Sequence, residues 1–354
     1  MRAVQYYGRG DVRIEDVDPA EVGPGQVRVD VSACGICGSD LHEYVGGPIT
    51  IPTDPHPVTG ESVPITIGHE FAGTVTEVGP DAHVDVGTEV AVNPIIWCGA
   101  CQYCDEGKYR LCPSGGFVGL SGRGGGFAEN VVVPAETAVP LPDGVSLRHA
   151  ALAEPFTVGL HAVRRSGVGP GDAVAIFGTG PIGLTVLQAV HAVGAGPVIV
   201  SEPRSARRQL AAECGADFVI DPMETDPSTH IPDVTNGGVN VAFEVAGVEE
   251  TVNQSMYVTR GGGTITIVSL YEEKIPVDLI NIVTAEQRMV GTAAFQGGPL
   301  SHREFSTTLR YFADGRFDPA PLVSSRIDLG DIVSDGFERL LDEQSDEIKI
   351  LVRP

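Results

Sequence analysis

Lysine is nearly absent: Lys108, Lys274 and Lys349 are the only three in 354 residues, against twenty arginines. Acidic residues number 47 against 23 basic ones, a net charge of −24. No basic stripe exists to displace counterions from phosphates, which excludes nucleic acid as a partner. Such an acidic, lysine-poor composition resembles that of proteins from salt-loving organisms. There, molar salt shortens the Debye length to about 3 Å and removes self-repulsion. A high-GC genome with an ordinarily acidic surface is the alternative. Long apolar runs are missing too, and no stretch reaches the length needed to span a bilayer. Met1-Arg-Ala-Val-Gln5 opens directly into strand-like sequence with no signal-peptide core. Internal repeats and low-complexity segments are absent. These absences lead us to expect a soluble cytoplasmic protein without membrane partners. At 42% hydrophobic residues the chain has enough apolar material for two domain cores.

The seven cysteines are spaced as metal ligands rather than as a disulfide framework. Cys98-Gly-Ala-Cys101-Gln-Tyr-Cys104, followed by Cys112, has gaps of two, two and seven residues. Four thiolates from one loop close a tetrahedron around zinc with no open position, which makes the site structural. The loop is rich in turn residues and poor in apolar ones, so the metal supplies most of its folding energy. A second constellation starts at Cys37-Gly-Ser-Asp-Leu-His42, which offers a thiol, a hydroxyl, a carboxylate and an imidazole within six residues. A catalytic zinc takes three protein ligands and keeps one position open. Cys37 supplies one; His69 and Glu70, with Glu154 before Pro155, are the candidates for the others. Cys34 and Cys214 have no partners at ligand spacing and read as packed thiols. The remaining histidines, His56, His83, His149, His161, His191, His230 and His302, receive no role.

Residues 1–155 alternate short β-rich runs (3–7, 12–17, 26–32, 73–78, 89–93 and 130–133) with Gly/Pro turns, a mostly antiparallel β domain. From residue 156 the rhythm changes to strand, helix, strand. A buried apolar strand at 173–177 precedes Gly178-Thr179-Gly180-Pro181-Ile182-Gly183, and a helix follows over 184–193. A second strand at 197–201 ends in Glu202. That context turns a weak glycine pattern into a dinucleotide-binding one. The glycines admit the pyrophosphate to the backbone, and the helix N-terminus favours its charge. Glu202 is placed to accept hydrogen bonds from the adenosine ribose, favouring NAD over NADP. Arg204, Arg207 and Arg208 follow closely, and one of them would hold a phosphate in the opposite case. Further strands at 218–220, 239–245 and 264–269 continue a doubly wound parallel sheet. The 243–247 segment and Val268 lie at strand carboxyl ends, where ligands bind. Helices over 302–315 and 332–341 and a strand over 348–352 read as completing the first domain. The expected division is therefore 1–155 completed by 296–354, with 156–295 as the nucleotide domain.

Carried by these motifs, the chain resembles the zinc-containing medium-chain alcohol dehydrogenases across essentially its whole length. The resemblance implies an α/β protein: a GroES-like, mostly β catalytic domain and a Rossmann coenzyme domain. It also implies two zinc ions per subunit, NAD, and a homodimer or homotetramer associating near 264–269 and 290–294. It makes Cys37, His69 and Glu154 the catalytic zinc ligands, with Glu70 an alternate ligand or close neighbour, and Cys98, Cys101, Cys104 and Cys112 the structural site. Ser39 would take the proton from the substrate alcohol and pass it through the nicotinamide ribose to His42. Asp40 would orient His69. The runs Leu41-His-Glu-Tyr-Val-Gly-Gly-Pro-Ile49, His56-Pro-Val-Thr-Gly60, Ile67-Gly-His-Glu-Phe71, Gly116-Phe-Val-Gly-Leu-Ser121 and Ala153-Glu-Pro-Phe-Thr-Val-Gly-Leu-His-Ala162 are similar to the 2,3-butanediol dehydrogenase branch. One departure is Gly291-Thr-Ala-Ala-Phe295, where Gly-Ser-Leu-Ala-Tyr is typical. The activity implied is NAD-linked interconversion of a secondary alcohol and a ketone. Sorbitol or L-threonine oxidation is the alternative within the class, and a non-catalytic zinc- and nucleotide-binding relative the alternative outside it.

Overall fold

Two kinds of strand pairing divide the chain. The computed structural model describes residues 1–271, 273–299 and 303–354. One compact unit comprises Met1–Glu154, Phe295–Gly315 and Leu322–Pro354; the other comprises Pro155–Ala294 and Arg316–Pro321. The short segment Arg316–Pro321 therefore goes with the second unit, whereas the sequence reading gave the whole tail to the first. Its Asp318 explains the placement: Gln188, on a helix of the second unit, donates to the Asp318 carbonyl at 2.8 Å and accepts from its N–H at 2.7 Å.

The first unit is built on a seven-stranded sheet whose long central strand, Gln26–Gly35, pairs antiparallel with Glu70–Val78, Asn130–Pro134 and the C-terminal Lys349–Arg353. Alternation of Val27, Val29 and Val31 with polar residues turns one face of that strand into the core, where Phe71, Val75, Phe127 and Phe337 join it. Cys34 lies in this core, as expected of a packed thiol, and burial pushes its pKa up. Cys214 is only half-buried, with Gln188 beside its sulfur. The strand Val323–Asp328, running parallel to Lys349–Arg353, was not anticipated. Its Val-Ser-Ser-Arg-Ile-Asp sequence is half exposed and carries no apolar run. The helix expected over 332–341 is a π turn at Ile332–Phe337 that continues as Glu338–Leu341. The helix expected from His302 is Arg303–Ala313; His302 itself is outside the described residues.

The second unit is a six-stranded parallel sheet in the order Phe218–Ile220, Val198–Ser201, Val174–Phe177, Val239–Glu244, Thr259–Ile267, Arg288–Gly291. This is the doubly wound order, with its switch point between Val174–Phe177 and Val239–Glu244. Both central strands are buried on both faces, hence the unbroken Val-Ala-Ile-Phe and Val-Ala-Phe runs. Thr259–Ile267 starts earlier than expected and is an interior strand; the sheet edges are Phe218–Ile220 and Arg288–Gly291. Phe295, the departure noted above, is fully buried against Phe305 at 5.8 Å between ring centroids, a core packing position.

Candidate metal centres and dinucleotide crevice

Strand register builds the first site. Gly35 faces Glu70 and Cys34 faces Phe71 across one antiparallel ladder; Gly35 faces Leu351 across the other. Residues just past Gly35 therefore lie level with His69 on one side and Lys349 on the other. The donor atoms of Cys37, His69 and Glu70 all fall within 4.8 Å of one another. A soft sulfur, an imidazole nitrogen and a carboxylate oxygen, with Cys37 and Ser39 half-buried, are a donor set suited to zinc with a position left over.

Helix Gly38–Gly46 begins directly after Cys37 and presents its first turn to the site. Asp40 is fully enclosed; one of its oxygens accepts from the Cys37 backbone N–H at 2.9 Å. Its other oxygen lies 3.5 Å from His69 Nδ1, and neither of those two atoms has a hydrogen-bond partner. On the far side of the ring, His69 Nε2 is 3.2 Å from Ser39 Oγ. A proton on Nδ1 facing Asp40 leaves Nε2 with its lone pair directed at the cluster, the tautomer a metal requires. Burial lowers the His69 pKa, but Asp40 and Cys37 together outweigh it, and the net shift is well upward. His42, one turn along, is exposed.

The two candidate glutamates stand differently toward Cys37 and His69. Glu70 is the one in the converging trio; Glu154, the first choice from sequence, lies outside it as a buried neighbour. Burial pushes Glu154 up to about 7, with His69 opposing and Glu70 adding to the shift. Glu70 is held by a residue that sequence reading passed over. The Lys349 ammonium, also buried, lies 2.8 and 2.9 Å from the two Glu70 oxygens and donates to the Ile36 carbonyl at 2.8 Å. The signal was available: one of three lysines, standing directly before the apolar run Ile350-Leu-Val352. A buried charge at such a place calls for a partner. Gly35 serves the same pair, since a Cβ there would collide with the Glu70 carboxylate. Glu43 was also missed. Buried on the same helix, its carboxylate accepts from the N–H groups of Ile49, Thr50 and Ile51 at 2.8, 2.5 and 3.1 Å, pinning the loop that follows.

The second centre is the cysteine lobe. Cys101 and Cys98 sulfurs lie 3.6 and 4.0 Å from that of Cys104, and all four sulfurs fall within 4.8 Å of one another. A tetrahedron with Zn–S near 2.3 Å has edges of about 3.8 Å, so the four thiols are already at ligand spacing. Backbone N–H groups of Ala100 and Cys98 approach Cys98 and Cys112 sulfurs at 3.5 and 3.4 Å, as thiolates require. The Ala100 contact, first among its influences, draws Cys98 down to about 7.

In the second unit the glycines divide the work. Gly178 has φ +94°, and a Cβ there would press on Ala246 at 3.0 Å. Gly183 has no room either, because its Cβ would land on the Gly178 carbonyl oxygen. Gly180 is open apart from an Arg207 nitrogen 3.9 Å from the Cβ position, and it precedes Pro181, the first residue of helix Pro181–Ala192. Thr179 is fully buried. Glu202 is committed inward: one oxygen accepts from the Thr179 N–H at 2.9 Å and hydroxyl at 3.1 Å, the other from the Arg204 N–H at 3.0 Å. It thereby braces the glycine turn. Arg208 is engaged with Asp221 at 2.7 Å, and an Arg207 guanidinium nitrogen lies beside the turn. Val268 donates its N–H to the Glu244 carbonyl at 2.9 Å, immediately beyond strand Thr259–Ile267.

Residues 23–143 match the alcohol dehydrogenase GroES-like domain and residues 181–314 the zinc-binding dehydrogenase domain. The (R,R)-butanediol dehydrogenase of Bacillus subtilis is 42% identical over the full length of both chains. That of Neisseria gonorrhoeae is 38% identical over 100% of this chain and 99% of its own. The crystal structure of the 2R,3R-butanediol dehydrogenase of Bacillus subtilis superposes with a TM-score of 0.93 at 41% identity, covering 100% of this chain and 99% of that one. Domain matches over most of the chain, together with relatives similar from end to end, establish this protein as a zinc-dependent alcohol dehydrogenase of the family that uses zinc and a nicotinamide dinucleotide.

Proposed function

We propose that the enzyme interconverts 2,3-butanediol and acetoin, or a closely related vicinal diol and its hydroxyketone, with NAD as hydride acceptor. The observation that carries the substrate is the full-length similarity to two proteins named (R,R)-butanediol dehydrogenase. Catalytic zinc would be held by Cys37, His69 and a glutamate, Glu70 or Glu154, and structural zinc by Cys98, Cys101, Cys104 and Cys112. Zinc supplies Lewis acidity toward an alcohol or carbonyl oxygen. The chain's own residues do the rest. Asp40 fixes the His69 tautomer. Ser39 Oγ, which shares the His69 Nε2 side of the ring, relays the hydroxyl proton once that nitrogen is engaged elsewhere, taking it up as its own proton leaves toward His42. His42, exposed on the same helix, hands the proton to solvent. Gly178, Thr179, Gly180, Pro181, Ile182, Gly183 and Val268 line the dinucleotide position, which orients the nicotinamide. Glu202 at the strand end supports NAD over NADP, with Arg207 as the residue that would favour the phosphate.

The deciding experiment is a kcat/KM panel of 2,3-butanediol isomers, sorbitol and L-threonine with each dinucleotide. Butanediol with NAD should lead. A tenfold preference for sorbitol or threonine would move the enzyme to another branch. Cytoplasmic residence in a salt-loving organism is part of the same reading, supported by the charge of −24. No helix among the described residues is long and apolar enough to cross a membrane. Association into dimers or tetramers through the edge strand Arg288–Gly291 is supported by its half-exposed Met289 and by nearby exposed Val283 and Ile280; light scattering would give the number of subunits.

A further inference from the structure

Glu244 ends the strand Val239–Glu244 at the switch point of the parallel sheet, and it is completely buried. Its side chain gathers five donors. One oxygen accepts from the N–H groups of Ala246 at 2.9 Å and Gly247 at 2.8 Å and from the Thr251 hydroxyl at 2.7 Å. The other accepts from the Tyr271 hydroxyl at 2.6 Å and from the Ser269 hydroxyl. Two carboxylate oxygens have about four lone-pair directions, so this acceptor is saturated. A buried carboxylate is costly unless paired in this way. Packing alone would be met by an apolar residue, like Phe243 before it.

Four of the five donors belong to two segments beside the glycine-rich turn, and Thr251 lies on the helix Glu249–Val258 that follows the first of them. Residues 246–247 form one: the missing Cβ of Gly178 would sit 3.0–3.1 Å from Ala246 backbone and side-chain atoms. Residues 268–271 form the other, and they touch the first, since a Cβ on Gly247 would lie 3.3 Å from the Leu270 carbonyl and 3.4 Å from Ser269. Burial, then the bond to Glu244, pushes the Tyr271 phenol upward, which keeps it a donor over the working pH range.

We infer that Glu244 is a positioning residue for the dinucleotide, clamping segments 246–247 and 268–271 into one preformed wall beside the turn at Gly178. It acts through those segments, and its contribution is to hold the crevice ready so that binding loses less freedom. The inference rests on the reading of this unit as dinucleotide-binding.

Two substitutions probe the second half of the clamp while the first is kept. In Glu244→Gln the amide oxygen must face the Ala246 and Gly247 N–H groups, which cannot reverse. Its NH2 then meets Ser269 and Tyr271 hydroxyls, which can turn and accept. That variant keeps the first segment and loosens the second. Tyr271→Phe loosens the second segment alone and spares the carboxylate. In the full-length, metal-loaded enzyme, NADH titrated by fluorescence should bind roughly fivefold more weakly to Tyr271→Phe, the equivalent of one hydrogen bond. Glu244→Gln should weaken it by a similar factor. KM for the dinucleotide should rise in step, with kcat at saturation within about twofold of the parent. Variants with lowered Tm but parental NADH affinity would overturn the inference, because the clamp would then serve only stability. If the parent enzyme binds neither NADH nor NADPH, the dinucleotide reading itself is what fails.

Discussion

At the scale of single residues, the Lys349–Glu70 pair is the sharpest test of the site's energetics. Both groups are buried, and Lys349 has no second acceptor except the Ile36 carbonyl. Burial lowers the Lys349 pKa, yet the charges of Glu70 and Cys37 reverse that and raise it. Lys349→Met should cost about 3–5 kcal/mol, because it strands a carboxylate away from water. Adding Glu70→Gln should recover most of the loss in urea unfolding. Additive losses in the double variant would show that the pair is not coupled. Asp40 acts on the metal rather than on the fold. Asp40→Asn should weaken zinc retention about 10–100-fold in competition with a chelator, since the His69 tautomer is no longer enforced. Unchanged retention would remove Asp40 from that role.

At the scale of elements, two local structures depend on something other than a hydrophobic core. The cysteine lobe has only a four-residue helix and a 3₁₀ turn, Gln102–Asp105 and Tyr109–Leu111. It is tied down by Tyr109 against Trp97 at 5.2 Å and by the Arg110 N–H on the Gln296 side chain at 3.0 Å. Cys104→Ser should remove one of two zinc equivalents and lower the unfolding temperature, while the Cys37 site keeps its metal. Metal analysis and calorimetry on the same sample would show otherwise if both equivalents disappear together. The helix Pro181–Ala192 is held by close approach. In Gly183→Ala the new methyl meets the Gly178 carbonyl, so the helix start must withdraw from the turn. We expect NADH affinity to fall at least about tenfold, a change no surface alanine would produce.

At the scale of the whole molecule, a charge of −24 sets how the folded state answers to salt. Self-repulsion screened to a few ångströms should raise the unfolding temperature steadily between 0.1 and 2 M KCl. A flat or falling curve would leave the acidic surface without an adaptive reading. The parallel, doubly wound character of the second sheet, the glycine turn and the cysteine lobe were all legible along the chain. Each depends on residues a few positions apart: alternating or continuous apolar runs, a glycine pattern between strand and helix, thiols at fixed gaps. Which glutamate joins Cys37 and His69, why Lys349 is a lysine, and what Glu43, Glu202 and Glu244 hold in place were not legible. Those answers depend on strands paired across tens or hundreds of residues, where the register of Gly35 against Glu70 and Leu351 decides which side chains meet. The sequence by itself determined the chemistry available to this protein, because ligand and turn motifs are local in the chain. Only the tertiary structure decided which buried charges face one another, because a charge removed from water takes its partner from whatever the fold brings within about 3 Å.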